Sequence, residues 1–244
     1  RFISEQDSLN AAMLAPDATA EAPEFQLFVK EVVREMTVKA GQKCTAIRRA
    51  LAPAALLPAA EKAIADMLAK TTIGDPARED VRMGALVSLG QRADVEARLA
   101  DLSREARVAF SANPSPIGAD AQGAFVAPTL LVCDDPVRAR AVHEVEAFGP
   151  VATLMPYYTL DDAVALLNRG GGSLVMSLFT HDAQIAREVI IGAASFHGRV
   201  IVIDRDCAKE QTGHGSPLPA LVHGGPGRAG GGEEMGGMRG LSHY

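Results

Sequence analysis

The feature that most constrains this chain is an alternation in its second half. Runs at 151–155, 174–180 and 199–203 have the length and apolar character of strands. Between them, Asp161 to Asn168 and Asp182 to Ala194 carry helical periodicity. Strand, helix, strand, helix, strand is the signature of a parallel sheet in an α/β protein. A further strand is expected at 129–132, just after Pro128. Upstream, Pro23 to Ala40 reads as a helix, with Pro23 in its first turn and Phe25, Phe28, Val32, Val33 and Met36 on one face. Leu57 to Lys70 repeats that pattern. Ser88 to Ala106 opens with Ser88 and Gln91 at capping-box spacing. The expected fold is therefore α/β, a parallel-type open sheet flanked by helices. A loop should follow, because 223–237 holds eight glycines and no periodicity.

Composition narrows the function. The chain has 244 residues, 48% apolar and 22% charged, which is ordinary for a globular protein. Its net charge is −6 and no Lys/Arg stripe stands out, so no nucleic-acid partner is expected. No apolar run approaches the ~18 residues of a membrane helix. Arg1 to Asn10 is too polar for a signal peptide. With no initiator Met, the chain reads as a processed or truncated product. Its three cysteines, Cys44, Cys133 and Cys207, fit neither a disulfide framework nor zinc-finger spacing. A reducing, cytoplasmic setting is expected.

Three short segments carry candidate chemistry. In Ala40-Gly41-Gln42-Lys43-Cys44-Thr45, a thiol follows a helix and a glycine, with Lys39, Lys43, Arg48 and Arg49 nearby in sequence. Positive charge favours thiolate, which is the nucleophile. The plainer alternative is a small buried core residue. Glu5 is a carboxylate of the type that serves as a general base; taken alone, it is as well explained as a solvated surface acid. Glu146-Ala147-Phe148-Gly149-Pro150 reads locally as a turn. Gly225-Pro226-Gly227-Arg228-Ala229-Gly230 spells a dinucleotide fingerprint, yet no βαβ unit follows it and Pro226 lacks an N–H. It is read instead as a loop packed near the mouth of an active site. The six histidines form no metal-binding motif and are read as surface or loop residues; no metal is expected.

Taken in order, these segments resemble the aldehyde dehydrogenase superfamily: a Glu, a glycine-flanked Cys, then Glu-x-Phe-Gly-Pro. Gly123 to Thr129 looks like the family's Gly-x-Phe-x-x-Pro-Thr strand, and Gly74-Asp75-Pro76 like its Gly-[Asn/Asp]-Pro turn. The resemblance runs along the whole chain. Arg34 to Arg49, Gly213 to Pro219 and His223 to Glu234 are similar to the phenylacetate-degradation bifunctional proteins, which join an aldehyde dehydrogenase to a hydratase-like domain. Asp7-Ser8-Leu9-Asn10 stands where most of the superfamily has two glycines, and that subgroup shares the pattern.

The resemblance implies roles. Cys44 would be the catalytic nucleophile and Glu5 the general base. Glu146 would hold the nicotinamide ribose, with Phe148 beside it, and the cofactor would be NADP or NAD. The activity implied is oxidation of a CoA-linked semialdehyde in aerobic phenylacetate degradation. A 3,4-dehydroadipyl-CoA semialdehyde dehydrogenase of benzoyl-CoA degradation is the alternative. A half-enzyme remnant that only binds a partner is the non-catalytic one. Residues 1–212 would form the catalytic domain. Residues 213–244 would form a glycine-rich segment returning toward a missing cofactor-binding half. The full protein would be a homo-oligomer.

Overall fold

The computed structural model describes residues 4–112, 115–216 and 223–230. In chain order the elements are β1 (Ser4–Glu5), β2 (Ala11–Leu14), α1 (Pro23–Thr37), β3 (Arg49–Pro53), α2 (Leu57–Leu68), α3 (Leu89–Leu102), β4 (Arg107–Ser111), β5 (Thr129–Val132), α4 (Ala141–Glu144), β6 (Val151–Tyr157), α5 (Leu160–Asn168), β7 (Ser173–Phe179), α6 (Ala183–Ala193), β8 (His197–Ile203) and β9 (Ala229–Gly230).

Seven strands form one sheet in the order β4-β5-β6-β3-β2-β7-β8. Every neighbouring pair is parallel except β4 with β5, which is antiparallel and bulged between Val108 and Phe110. The expected parallel-type sheet is therefore mixed at one edge. Helices cover both faces. On β2, Ala12 and Leu14 join the cluster beneath α1 and α2, built on Phe28, Val32 and Ile64. Ala11 and Met13 face the opposite cluster, with Val95, Leu166 and Val189 from α3, α5 and α6. Because both faces are buried, the central strands show no alternation of polar and apolar residues.

The helices at 23–40 and 88–106 are shorter than their sequence patterns suggest. α1 stops at Thr37 because the next turn reverses its hand: Lys39, Ala40 and Gly41 have φ of 54°, 51° and 69°. Left-handed backbone is costly for the two residues that carry a Cβ. At Gly41 a Cβ would also sit 2.2 Å from the Gly149 carbonyl oxygen, so only glycine fits there. α3 starts as expected, with the Ser88 hydroxyl accepting from the Gln91 N–H at 3.2 Å. No helix among the described residues is long and apolar enough to cross a membrane.

Candidate active site

The register of three neighbouring strands assembles the site. Ala11 of β2 pairs with Arg49 of β3, and Arg49 pairs with Thr153 of β6. Glu5 lies six residues before Ala11, Cys44 five before Arg49 and Glu146 five before Val151. Parallel strands in register therefore bring all three to one edge. It is the amino edge of the strands, not the carboxyl edge where open α/β sheets usually bind ligands. A cleft of about 660 Å³ lies there, lined by Glu5, Ser8, Cys44, Gln91, Glu146 and Phe148 among others. All four residues singled out in the sequence reach it. Its volume suits a small-molecule site.

Cys44 follows the left-handed turn and is exposed. Its loop is tied down from behind. The Asn10 side-chain amide donates to the Cys44 carbonyl at 2.8 Å and to the Ala46 carbonyl at 3.0 Å. The Asn10 side-chain oxygen Oδ1 accepts from the Ser8 hydroxyl at 2.7 Å and from the Val175 N–H at 3.0 Å. The Ser8 N–H in turn donates to Glu146 at 3.1 Å. One buried network thus links the segments of Glu5, Cys44 and Glu146.

The four cations near Cys44 in sequence separate in space. Lys43 pairs with buried Glu35 at 2.7 Å. Burial pushes the Glu35 carboxyl up, and the Lys43 ammonium opposes that. Arg49 turns inward and donates to the carbonyls of Leu9, Leu166 and Leu167 at 3.1, 2.8 and 2.9 Å. Lys39 is exposed. Arg48 alone of the four bonds a residue that lines the cleft. It donates to Glu146 at 3.1 Å, to the Gly149 carbonyl at 2.7 Å and to the Gly41 carbonyl at 2.9 Å, and lies 5.4 Å from the Phe148 ring centroid. Burial pushes Arg48 down and Glu146 up, and their ion pair opposes both shifts. A fifth cation, Arg199 on β8, also lies within electrostatic range of the Cys44 sulfur.

The residues at Glu146 fit a ribose diol. Each carboxylate oxygen accepts one hydrogen bond from the protein, from Arg48 and from Ser8. A carboxylate has about four acceptor sites, so capacity remains for hydroxyl donors from the cleft.

The glycine-rich segment, where described, lies at this site. β9 pairs antiparallel with β1, setting Glu5 opposite Ala229. Arg228 forms a bidentate ion pair with Asp7. Its glycines allow backbone to touch backbone: a Cβ on Gly225 would lie 2.3 Å from the Ser173 carbonyl oxygen. The fingerprint-like motif is thus a packing loop. Residues 217–222 and 231–244 of this segment lie outside the described residues.

The histidine reading needs correction. His143, His197 and His214 are buried. Arg49 donates to His143 Nδ1 at 3.4 Å, so Nε2 carries the proton toward the Pro136 carbonyl at 2.9 Å. Ser173 and Ser177 bond His197 and His214 at 2.6 and 2.7 Å. A fourth histidine, His223, places Nε2 4.0 Å from the Cys44 sulfur. Nothing local in the sequence marks it, because 179 residues separate the two. At the other end of β7 and β8, His181 lies 4.0 Å from Asp204 and 3.9 Å from Asp206. None of these three lines the cleft.

Comparison with known proteins fits this geometry. The model of the aldehyde dehydrogenase family matches residues 1–242. The chain is 52% identical over 229 residues to 3,4-dehydroadipyl-CoA semialdehyde dehydrogenase of Aromatoleum evansii, covering 93% of this chain and 44% of that protein. It is 51% identical over 162 residues to protein MaoC of Klebsiella aerogenes, covering 66% of this chain and 48% of that one. Among solved structures, betaine aldehyde dehydrogenase of Staphylococcus aureus in complex with NAD+ superposes with a TM-score of 0.81 at 25% identity, covering 99% of this chain and 44% of that one. The chain spans a little under half the length of these relatives. With this site, this fold and a match along nearly its whole length, the chain belongs to the aldehyde dehydrogenase family.

Proposed function

We propose that this chain supplies the thiol half of an NAD(P)-dependent aldehyde oxidation, with Cys44 as nucleophile and Glu5 as general base. Glu146 holds the nicotinamide ribose and Phe148 packs beside it. The observation that carries this reading is the convergence of these four residues on one cleft. The substrate class we assign is a CoA-linked aliphatic semialdehyde, in aerobic phenylacetate degradation. Identity of 52% to the Aromatoleum enzyme favours a second reading of the same chemistry, with 3,4-dehydroadipyl-CoA semialdehyde as substrate. A cofactor-binding half, implied by the family, completes the cleft. Residues 1–212 are the catalytic domain, and 213–244 is the segment that returns toward that half. The whole protein acts as a homo-oligomer in the cytoplasm.

The chain's own residues then act in sequence. The Cys44 thiolate forms a bond to the aldehyde carbon, and the carbonyl electron pair moves onto oxygen. The backbone N–H of Cys44 donates to that oxyanion. The oxyanion then re-forms the carbonyl as the aldehyde C–H bond breaks, and a bound oxidised nicotinamide would supply the acceptor for the hydride released. A thioester on Cys44 remains. Glu5 takes a proton from water as the water attacks that thioester, and the carbon–sulfur bond breaks to release acid.

Two variants of the intact protein test this, with NAD(P)H formation as readout. Cys44→Ala is expected to lose activity by at least about a thousandfold. An active variant would end the reading. Glu5→Gln is expected to keep a burst of about one NAD(P)H per site while its steady state falls. Loss of the burst would remove Glu5 from the base role.

A further inference from the structure

We propose that His223 is a third catalytic residue, the base that takes the proton of the Cys44 thiol. This rests on the reading of Cys44 as nucleophile. The geometry is direct: His223 Nε2 lies 4.0 Å from Cys44 Sγ, within the range of a hydrogen bond to sulfur. A base beside the thiol is the usual means of activating a cysteine, and such contacts are commonly loose before substrate binds. The fold holds the ring there. His223 stands six residues before Ala229 of β9, and residues 223–230 are fixed by β9 on β1 and by Arg228 on Asp7. A Cβ on Gly198 would lie 1.6 Å from the Gly224 carbonyl oxygen, so the residue after His223 is pressed against β8.

The step balances without any further reactant. The S–H proton moves to Nε2, leaving thiolate and imidazolium. The thiolate attacks the aldehyde carbon. When water releases the thioester, Glu5 holds the proton of that water, and the imidazolium returns its own proton to the departing sulfur.

The charges around the pair favour this transfer. Arg48, from the cysteine loop, and Arg199, from β8, both lie within electrostatic range of the sulfur. Lys43 is adjacent in the chain and neutralised by Glu35. Glu146 is engaged by Arg48. Behind the loop, buried His214 is held to about 3 by burial and stays neutral through the test range. Glu5, from β1, is the competing proton acceptor on the same cleft.

The test is the pH dependence of iodoacetamide alkylation at Cys44 in the intact protein, read by mass spectrometry without cofactor or substrate. In the wild type, alkylation should persist well below the ordinary thiol value of about 8.5. His223→Gln should move the midpoint up by about one unit and lower the rate at pH 6.5 about tenfold. Superimposable profiles overturn the proposal. So does a shift produced by Glu5→Gln and not by His223→Gln, which would make Glu5 the acceptor. A reciprocal measurement needs no change at His223. Its ring titration, followed by NMR with labelled histidine, should move down in Cys44→Ala; an unmoved titration also overturns the proposal. The nucleophile reading fails separately, by turnover in Cys44→Ala. In that case a shifted alkylation profile would mark a thiol–imidazole pair without catalytic use.

Discussion

Cys44 and Cys133 are the same residue in two opposite settings. Cys133 follows β5 and is 1% exposed, with its N–H bonded to the Leu154 carbonyl at 3.0 Å. Burial pushes its thiol up to about 11. Cys44 follows a left-handed turn, faces a cleft, and has Arg48, Arg199 and His223 around it. Local charge contributes, since Asp134 and Asp135 follow Cys133 and raise its thiol further whereas cations flank Cys44 in sequence, but the larger difference is one of burial. It comes from backbone hand and strand register. A strand end carries its side chain into the packed layer, whereas the turn at Lys39-Ala40-Gly41 throws the next residues out of it.

The largest expected effect separates the two thiols by function. Cys44→Ala should abolish oxidation, while Cys133→Ala should leave kcat within about twofold and cost stability instead, because it opens a small cavity in a packed layer. An activity loss at Cys133 would break the contrast. Next is the support of the reactive loop. Arg48→Met leaves Glu146 buried without its cation and should lower unfolding free energy by about 3 kcal/mol, read by urea titration. An unchanged midpoint would show that Glu146 reaches water when released. Labelling sharpens the comparison further. At pH 7, iodoacetamide should modify Cys44 at least about a hundredfold faster than Cys133, because a thiol near 11 holds little thiolate and is closed to reagent. Comparable rates would mean that the β5 end opens readily.

The smallest effect, per group and per pH unit, concerns the other buried titratable groups. Burial holds His143 near about 4, and His197 and His214 near about 3. Each is neutral in the fold, whereas its unfolded form takes up a proton below about 6.5. Their contribution is complete above that value and lost as pH falls toward 4 and 3. Each should remove up to about 1.4 kcal/mol per pH unit across that window. Thermal unfolding between pH 7 and 5 measures the slope. A flat midpoint would show that these rings take up protons in the fold as readily as in the unfolded chain.

Much of the scaffold was legible. The strands at 129–132, 151–155, 174–180 and 199–203 and the five longer helices follow hydrophobic period, and all of them form. The two central strands were not legible. β2 is Ala-Ala-Met-Leu and β3 is Arg-Ala-Leu-Ala-Pro. Alanine favours helix locally. Here it is chosen because helices press on both faces of the sheet and leave little room, so packing overrides propensity. The histidines were misread for a related reason. A buried ring needs one hydroxyl or one guanidinium at the right place, and Ser173 and Ser177 on β7 and Arg49 on β3 each reach a histidine that lies elsewhere in the chain.

The sequence alone determined the order of the motifs, and with it the family, the α/β class and four residues that line the cleft. Those signals are local, because each motif is a short run of required residue types. Tertiary structure alone decided that Asn10 and Ser8 tie the cysteine loop to Glu146, that Arg48 rather than Lys43 or Arg49 pairs with Glu146, and that His223 meets Cys44. These contacts span 34 to 179 residues. Only the pairing of β2, β3 and β6, and the return of the last described strand onto the first, brings such distant atoms within reach.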